Sequence, residues 1–208
     1  MKKAAVFTIV KDEKVFFPLW LKHYSQWFQP EDIYVLDHET VDGSTSVGGF
    51  EHIPVHNRHA FNHEWLRDTV INQQHELLKN YQAVVFAEAD EFIAPDPEKF
   101  PGGLSEYLDQ FVASSKQFVR CNGFEVIHRY NDEADIDFER PLMQQRSVWS
   151  GSSLYSKPTI SKVPLKWRNG FHDLQDVKSA PMSIVDPDLY LVHMHFLDFK
   201  YCDERHRL

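Results

Sequence analysis

Apolar and polar positions along the chain alternate between short buried runs and helical stripes. Residues 4 to 10 (AAVFTIV) form an apolar run suited to a strand covered on both faces. Phe16, Trp20, Tyr24, Trp27 and Phe28 then recur at helical spacing across 15 to 28, with Pro18 tolerable in the first turn. DIYVLD (32 to 37) reads as a second buried strand, and HETVDGSTSVGG after it as a loop. Asn62 is a plausible N-cap for a helix to about Asn80, with Leu66, Val70, Leu77 and Tyr81 along one face. QAVVFAEAD (82 to 90) is the next strand. Leu104, Tyr107, Leu108, Phe111 and Val112 mark a further amphipathic helix after Gly102 and Gly103.

Strand and helix in alternation predict an α/β sandwich with a mostly parallel central sheet. Beyond residue 116 the pattern loosens into short strands at 117 to 121, 124 to 128, 158 to 163 and 189 to 196, separated by long polar loops. With no internal repeat and no long linker, the 208 residues are expected to form a single domain with an irregular C-terminal half.

Composition narrows the picture modestly. The chain is 42% hydrophobic and 25% charged, ordinary for a globular protein, and its sixteen Phe, eight Tyr and five Trp leave aromatics over for a cleft. A formal charge of -9 argues against a general nucleic-acid binder. Cys121 and Cys202 are too few for a disulfide framework, so a reducing cytoplasm is the expected compartment. The opening MKKAAVFTIVKDE starts like a signal peptide, but Lys11, Asp12 and Glu13 interrupt it too early. No run approaches the roughly 18 apolar residues of a membrane span.

The chemistry lies in the acids. Three strands run into carboxylates: Asp12 and Glu13 after the first, Asp37 at the second, and Glu88, Asp90 and Glu91 after VVF. If those strands are parallel, the acids share the edge where open α/β sheets bind ligands. Crowded carboxylates either take up a proton or gather a cation. In extended geometry Glu88 and Asp90 would share a face and hold one hard ion, Mg²⁺ or Mn²⁺. The competing reading is a solvated acidic turn that caps the next segment, with Glu91 paired to a nearby Lys.

AVFTIVKDEKVFFPLWLKHY, IYVLDHETVDGST and VVFAEADEFI, in that order over residues 4 to 95, resemble the family 2-like branch of GT-A glycosyltransferases, with weaker echoes in SKPTISK, WRNGFH and LVHMHF. The resemblance implies a GT-A-like, Rossmann-like αβα sandwich with a nucleotide-sugar-binding half (1–115) and an acceptor and metal-His half (116–208). It implies a sugar transfer, expected to be inverting, from a nucleoside-diphosphate-sugar, UDP-sugar favoured, to a glycan or lipid-linked acceptor. Asp12 or Glu13 would lie near nucleobase and ribose, Asp37 would accept a hydrogen bond from either, and Asp42 would shape its loop. Glu88 and Asp90 fill the two acidic positions of the D-x-D motif, Asp90 as the firmer ligand for Mn²⁺ or Mg²⁺. Glu88 departs from the usual Asp.

A late His often completes such a metal site, and His193 and His195 lie on one face of the last predicted strand. His193 is favoured, since His195 could equally bind substrate. Lys157 is the expected cation for the leaving diphosphate, with Arg146 and Lys162 as rivals. Asp173 is the expected base, with Glu125 and Asp132 as rivals, and His172 beside it would orient acceptor or diphosphate. Phe92 is most simply core. Partners implied are the donor, the acceptor, a peripheral membrane association at its inner face and a homodimer. Two other classes share the acids: a metal-dependent phosphoester hydrolase, and a non-catalytic carbohydrate- or nucleotide-binding module.

Overall fold

The computed structural model describes residues 1–57, 62–175 and 185–207. The first run becomes β1 (Lys2–Val10), and its alternate residues face opposite ways, as a strand's pleat requires. Val6 and Val10 join one apolar cluster; Ala5 and Phe7 join the other. On the first face lie α1 (Phe16–Tyr24) and α3 (Gly103–Ala113), which contribute Phe17, Trp20, Tyr24, Leu104, Leu108 and Phe111. The second face is covered by α2 (His63–Leu77) through Val70 and Leu77, and by Leu165, Trp167, Phe171 and Leu174 from a later loop. Asn62 caps α2 as its position in the sequence predicts, its side-chain oxygen accepting from the backbone N–H of Glu64 and Trp65.

β2 (Ile33–Asp37) and β4 (Tyr81–Phe86) flank β1 in parallel, and β3 (Glu51–Pro54) extends the sheet beyond β2. The remaining strands are β5 (Glu91–Pro95), β6 (Phe118–Ile127), β7 (Val148–Gly151), β8 (Pro158–Ser161) and β9 (Val185–His193). A fourth helix, α4 (Phe199–Arg207), follows β9. Among the described residues nine strands make one sheet of order β3-β2-β1-β4-β8-β6-β9-β5, with β7 paired to β6 off that path.

This sheet is mixed, which corrects the expectation of a mostly parallel one. β8 runs antiparallel to both β4 and β6, and β5 and β7 are antiparallel to their neighbours. Parallel neighbours need a long crossover, usually a helix. Among the described residues no α-helix lies between the strands from β6 to β9, and most of their pairings are antiparallel. One consequence matters for the site. Because β8 reverses twice, β6 regains the direction of β4, and β9 is parallel to β6. The carboxyl ends of β1, β2, β4, β6 and β9 therefore meet at one edge.

Several boundaries also differ from expectation. α1 stops at Tyr24, short of Phe28, and the two strands expected at 117 to 128 are one. β3, β5, β7 and α4 were not foreseen. The strand expected over 82 to 90 ends at Phe86, and residues 87 to 90 turn the chain into β5, with the Glu91 N–H donating to the Glu88 carbonyl (2.9 Å). At the sheet edge β5 is covered by α1. Tyr24 Oη accepts from the Ile93 N–H (3.1 Å), and His23 Nε2 donates to the Ile93 carbonyl (2.9 Å), so that edge's backbone groups do not go unsatisfied.

Gly123 in β6 shows how tightly the site-bearing half is assembled. A Cβ there would lie 2.3 Å from the carbonyl carbon of Tyr155 and 2.6 Å from the nitrogen of Ser156, both backbone atoms that cannot rotate away. Gly123→Ala is expected to cost about 1–3 kcal/mol by overpacking, seen as a lower urea midpoint. Gly151→Ala, where nothing lies within 4 Å of the added carbon, should leave that midpoint nearly unchanged.

Candidate functional site

At the shared edge the chain encloses a cleft of about 490 Å³, lined among others by Glu13, Glu88, Asp90, Tyr155, Lys157, His172, His193, His195 and Arg205. The 87–90 turn builds its floor. That turn overturns the extended geometry expected for Glu88 and Asp90: the two carboxylates go to different partners.

Asp90, only 7% exposed, faces two imidazoles. Its Oδ1 lies 3.7 Å from His193 Nε2, and its Oδ2 lies 3.6 Å from His195 Nδ1. Ligand atoms of the three residues all fall within 4.8 Å of one another. His193 ends β9 and His195 lies two residues past it, yet their rings are nearly parallel, 5.8 Å apart. Burial alone would raise the Asp90 pKa, but contacts with His195, His193 and Arg205 hold it well below the usual carboxylate range.

His193 is fixed from behind. Its Nδ1 lies 2.9 Å from both carboxylate oxygens of Glu125, its register partner on β6, and Tyr155 stacks on the ring at 3.9 Å. An ionised carboxylate only accepts, so Nδ1 carries the proton and donates, which aims Nε2 at Asp90. A carboxylate behind a ligating imidazole is the arrangement that orients metal-binding histidines. Glu125, expected only as a rival base, is thus placed as the positioner of His193.

Glu88 turns to Lys157. The Lys157 ammonium, 3% exposed, lies 2.5 Å from Glu88 and 2.6 Å from the fully buried Glu91. Burial would lower the Lys157 pKa, but the two carboxylates raise it above the ordinary value. The Lys partner that the capped-turn reading assigned to Glu91 is therefore present, although the turn is buried rather than solvated. The rivals of Lys157 have other duties. Arg146 donates to the Leu197 and Ala134 carbonyls, and Lys162 donates to the carbonyls of Phe111 and Ser114 at the end of α3.

The remaining acids separate into cleft and loop. Glu13 lines the cleft, where burial outweighs the neighbouring Arg205 and raises its pKa to about 7. Asp12 adopts a left-handed backbone (φ 53°), and its carboxylate accepts from the N–H groups of Val41 and Asp42. Asp42 in turn accepts from the Ser44 N–H, shaping its loop. Asp37 accepts from the Thr40 N–H (2.9 Å) and the Thr45 hydroxyl (2.7 Å), and meets His52 at 2.8 Å.

The structure does not bring Asp173 into the cleft lining. Its carboxylate is half exposed and paired with Arg120 at 2.5 Å, held there by the short hairpin of Trp167 and Leu174. Asp132 pairs with Arg129 on the surface. His172 does line the cleft, anchored by the Leu154 carbonyl at 2.6 Å from Nδ1. Phe92 packs in the core. Arg205 and Tyr155 were missed by sequence reasoning. No local pattern marks either, since Arg205 meets Glu13 across 192 positions of chain.

No family model matches the chain, and no curated protein matches it. Among the described residues no helix is long and apolar enough to cross a membrane.

Two outcomes test the geometry. Burial opposes ionised Asp37, but hydrogen bonds from His52, Thr40 and Thr45 win and lower its pKa from 3.8 to about 2. A folded carboxyl with the lower pKa stabilises fully above about pH 4 and loses that contribution as pH falls toward 2. Asp37→Ala should therefore cost about 2 kcal/mol at pH 7, and the gap to the parent should narrow steeply between about pH 4 and pH 2 in urea titrations. At the second position, Glu125→Leu should remove the Nδ1–H preference of His193, read from imidazole ¹⁵N shifts.

Proposed function

We propose that the cleft binds a divalent cation together with a nucleoside diphosphate-sugar and transfers the sugar to an acceptor hydroxyl. The observation that carries this reading is the convergence of Asp90, His193 and His195 on one point of the cleft. The donor set fits a divalent ion: one carboxylate, two imidazoles, and Glu125 behind one of them. Two nitrogen donors favour Mn²⁺ over Mg²⁺, which prefers oxygen. An ion held there would offset the negative charge that builds on a departing diphosphate.

The chain's own groups would do the rest. Glu13, three residues past β1, lines the cleft, where it would meet a ribose or base. Lys157 pairs with both Glu88 and Glu91 and holds the 87–91 turn that presents Asp90. Glu88, one-third exposed and lining the cleft, takes over from Asp173 as the carboxylate positioned to accept the acceptor's proton. The GT-A relationship belongs to the same proposal. It is supported by the β3-β2-β1-β4 parallel segment and by the acidic strand ends it aligns.

A second reading keeps the metal and drops the donor. A cluster of two His and one Asp also suits a hydrolytic ion that activates water against a phosphoester. Thermal shift separates the two, with UDP, GDP and CMP each tested with and without Mn²⁺. The transferase reading expects one nucleoside diphosphate to stabilise the protein only when Mn²⁺ is present; Mn²⁺ alone stabilising, with no nucleotide effect, favours the hydrolase. Asp90→Asn should abolish the metal-dependent part of nucleotide binding while leaving the far-ultraviolet circular dichroism unchanged. Unchanged metal dependence in that variant would sink the transferase reading.

A further inference from the structure

The cluster of Asp90, His193 and His195 already has a cation beside it. Arg205 of α4 donates from Nη1 to Asp90 Oδ2 (2.9 Å), and the same nitrogen lies 3.4 Å from His195 Nδ1. Its Nη2 donates to Glu13 Oε1 (2.7 Å), and the guanidinium lies over the Phe16 ring at 5.1 Å. Asp90 Oδ2 and His195 Nδ1 are themselves 3.6 Å apart, and both residues belong to the trio that could hold a metal ion. A guanidinium and a divalent ion repel, and they compete for the same carboxylate lone pairs. An ion held by Asp90 and His195 would therefore weaken or displace the Arg205 contact.

The base of α4 is anchored independently of Arg205. Asp198 caps it by accepting from the Lys200 N–H (2.9 Å), and the same carboxylate accepts from the Ile136 N–H (2.9 Å). Phe199 N–H donates to His128 Nδ1 (3.1 Å). An Arg released from Asp90 would therefore stay tethered at the cleft, still beside Glu13. Its planar fork suits the paired oxygens of a phosphate better than an ammonium does. Lys157 is already committed to two carboxylates, which leaves Lys11 and Arg205 as the other basic side chains lining the cleft.

We propose that Arg205 is the diphosphate-binding residue of this cleft, and that it holds Asp90 in the metal's place until an ion displaces it. The proposal rests on the metal and diphosphate reading above and adds a residue and an order of events to it: ion first, then transfer of Arg205 from Asp90 to the phosphates. It also predicts that metal alone binds more weakly than the ligand set would allow, because the ion must first displace an arginine that bridges Asp90 and Glu13.

Calorimetry on the full chain tests it with MnCl₂ alone and with inorganic pyrophosphate added to the Mn²⁺-loaded protein. Arg205→Gln should tighten Mn²⁺ binding by about tenfold and weaken pyrophosphate binding by about tenfold, each equivalent to about 1.4 kcal/mol. Arg205→Lys, which keeps the charge without the fork, should restore the competition with Mn²⁺ but only part of the pyrophosphate affinity. An unchanged or weaker Mn²⁺ affinity in Arg205→Gln would overturn the displacement. Tighter Mn²⁺ with undiminished pyrophosphate binding would overturn the phosphate role. If neither the parent nor Arg205→Gln binds Mn²⁺, the metal reading itself fails, which is a different result from either.

Discussion

The rest of the site depends on one electrostatic constraint: Asp90 and Glu91, and in part Glu88, are removed from water within four residues of each other. Like charges at that spacing in a low-dielectric edge are unstable unless cations reach them. The protein brings those cations from distant segments. Lys157, just ahead of β8, neutralises Glu88 and Glu91, while His193 and His195 at the end of β9 and Arg205 on α4 surround Asp90. The acidic turn is therefore a nucleus around which the C-terminal half is placed. Removing one partner would leave an uncompensated buried charge.

The mixed sheet is what makes that placement feasible. A purely parallel continuation beyond β4 would have required a crossover helix for each further strand. Inserting the short reversed β8 between β4 and β6 restores the direction of β6 and β9 with little chain. Glu125 and His193 thereby become register partners, and His193 is also opposite Glu91 on β5. The imidazole is held by a carboxylate behind it and stacked by Tyr155, so its orientation is set before any ligand arrives. Such preorganisation spares a binding site the cost of ordering its own side chains.

Much of the N-terminal half was legible because its signals are local. β1 alternates between two apolar clusters, Asn62 caps its helix, and the acids at Asp12, Asp37 and Asp90 follow strands that do run parallel. The failures have physical causes of their own. Glu88 and Asp90 looked like neighbours on one face because the apolar run gave no sign of ending at Phe86. The turn at 87–90 contains no Gly or Pro to announce it. Asp173 looked like a base because it follows a glycine and an aromatic residue, yet its hairpin turns it to Arg120. β5 and β7 are short, and a short apolar segment carries too few residues for its period to be read.

By itself the sequence determined which strands are buried on both faces, where the carboxylates fall relative to them, and that His193 and His195 lie two positions apart. Those are properties of residue type and spacing, and they survive without knowledge of the fold. Only the tertiary structure decided which cation meets which acid: Lys157 with Glu88 and Glu91, the histidines and Arg205 with Asp90. The reason is range. Each of those pairs, separated by 66 or more positions, is set by how β8, β9 and α4 dock, and the local pattern of the chain encodes no such pairing.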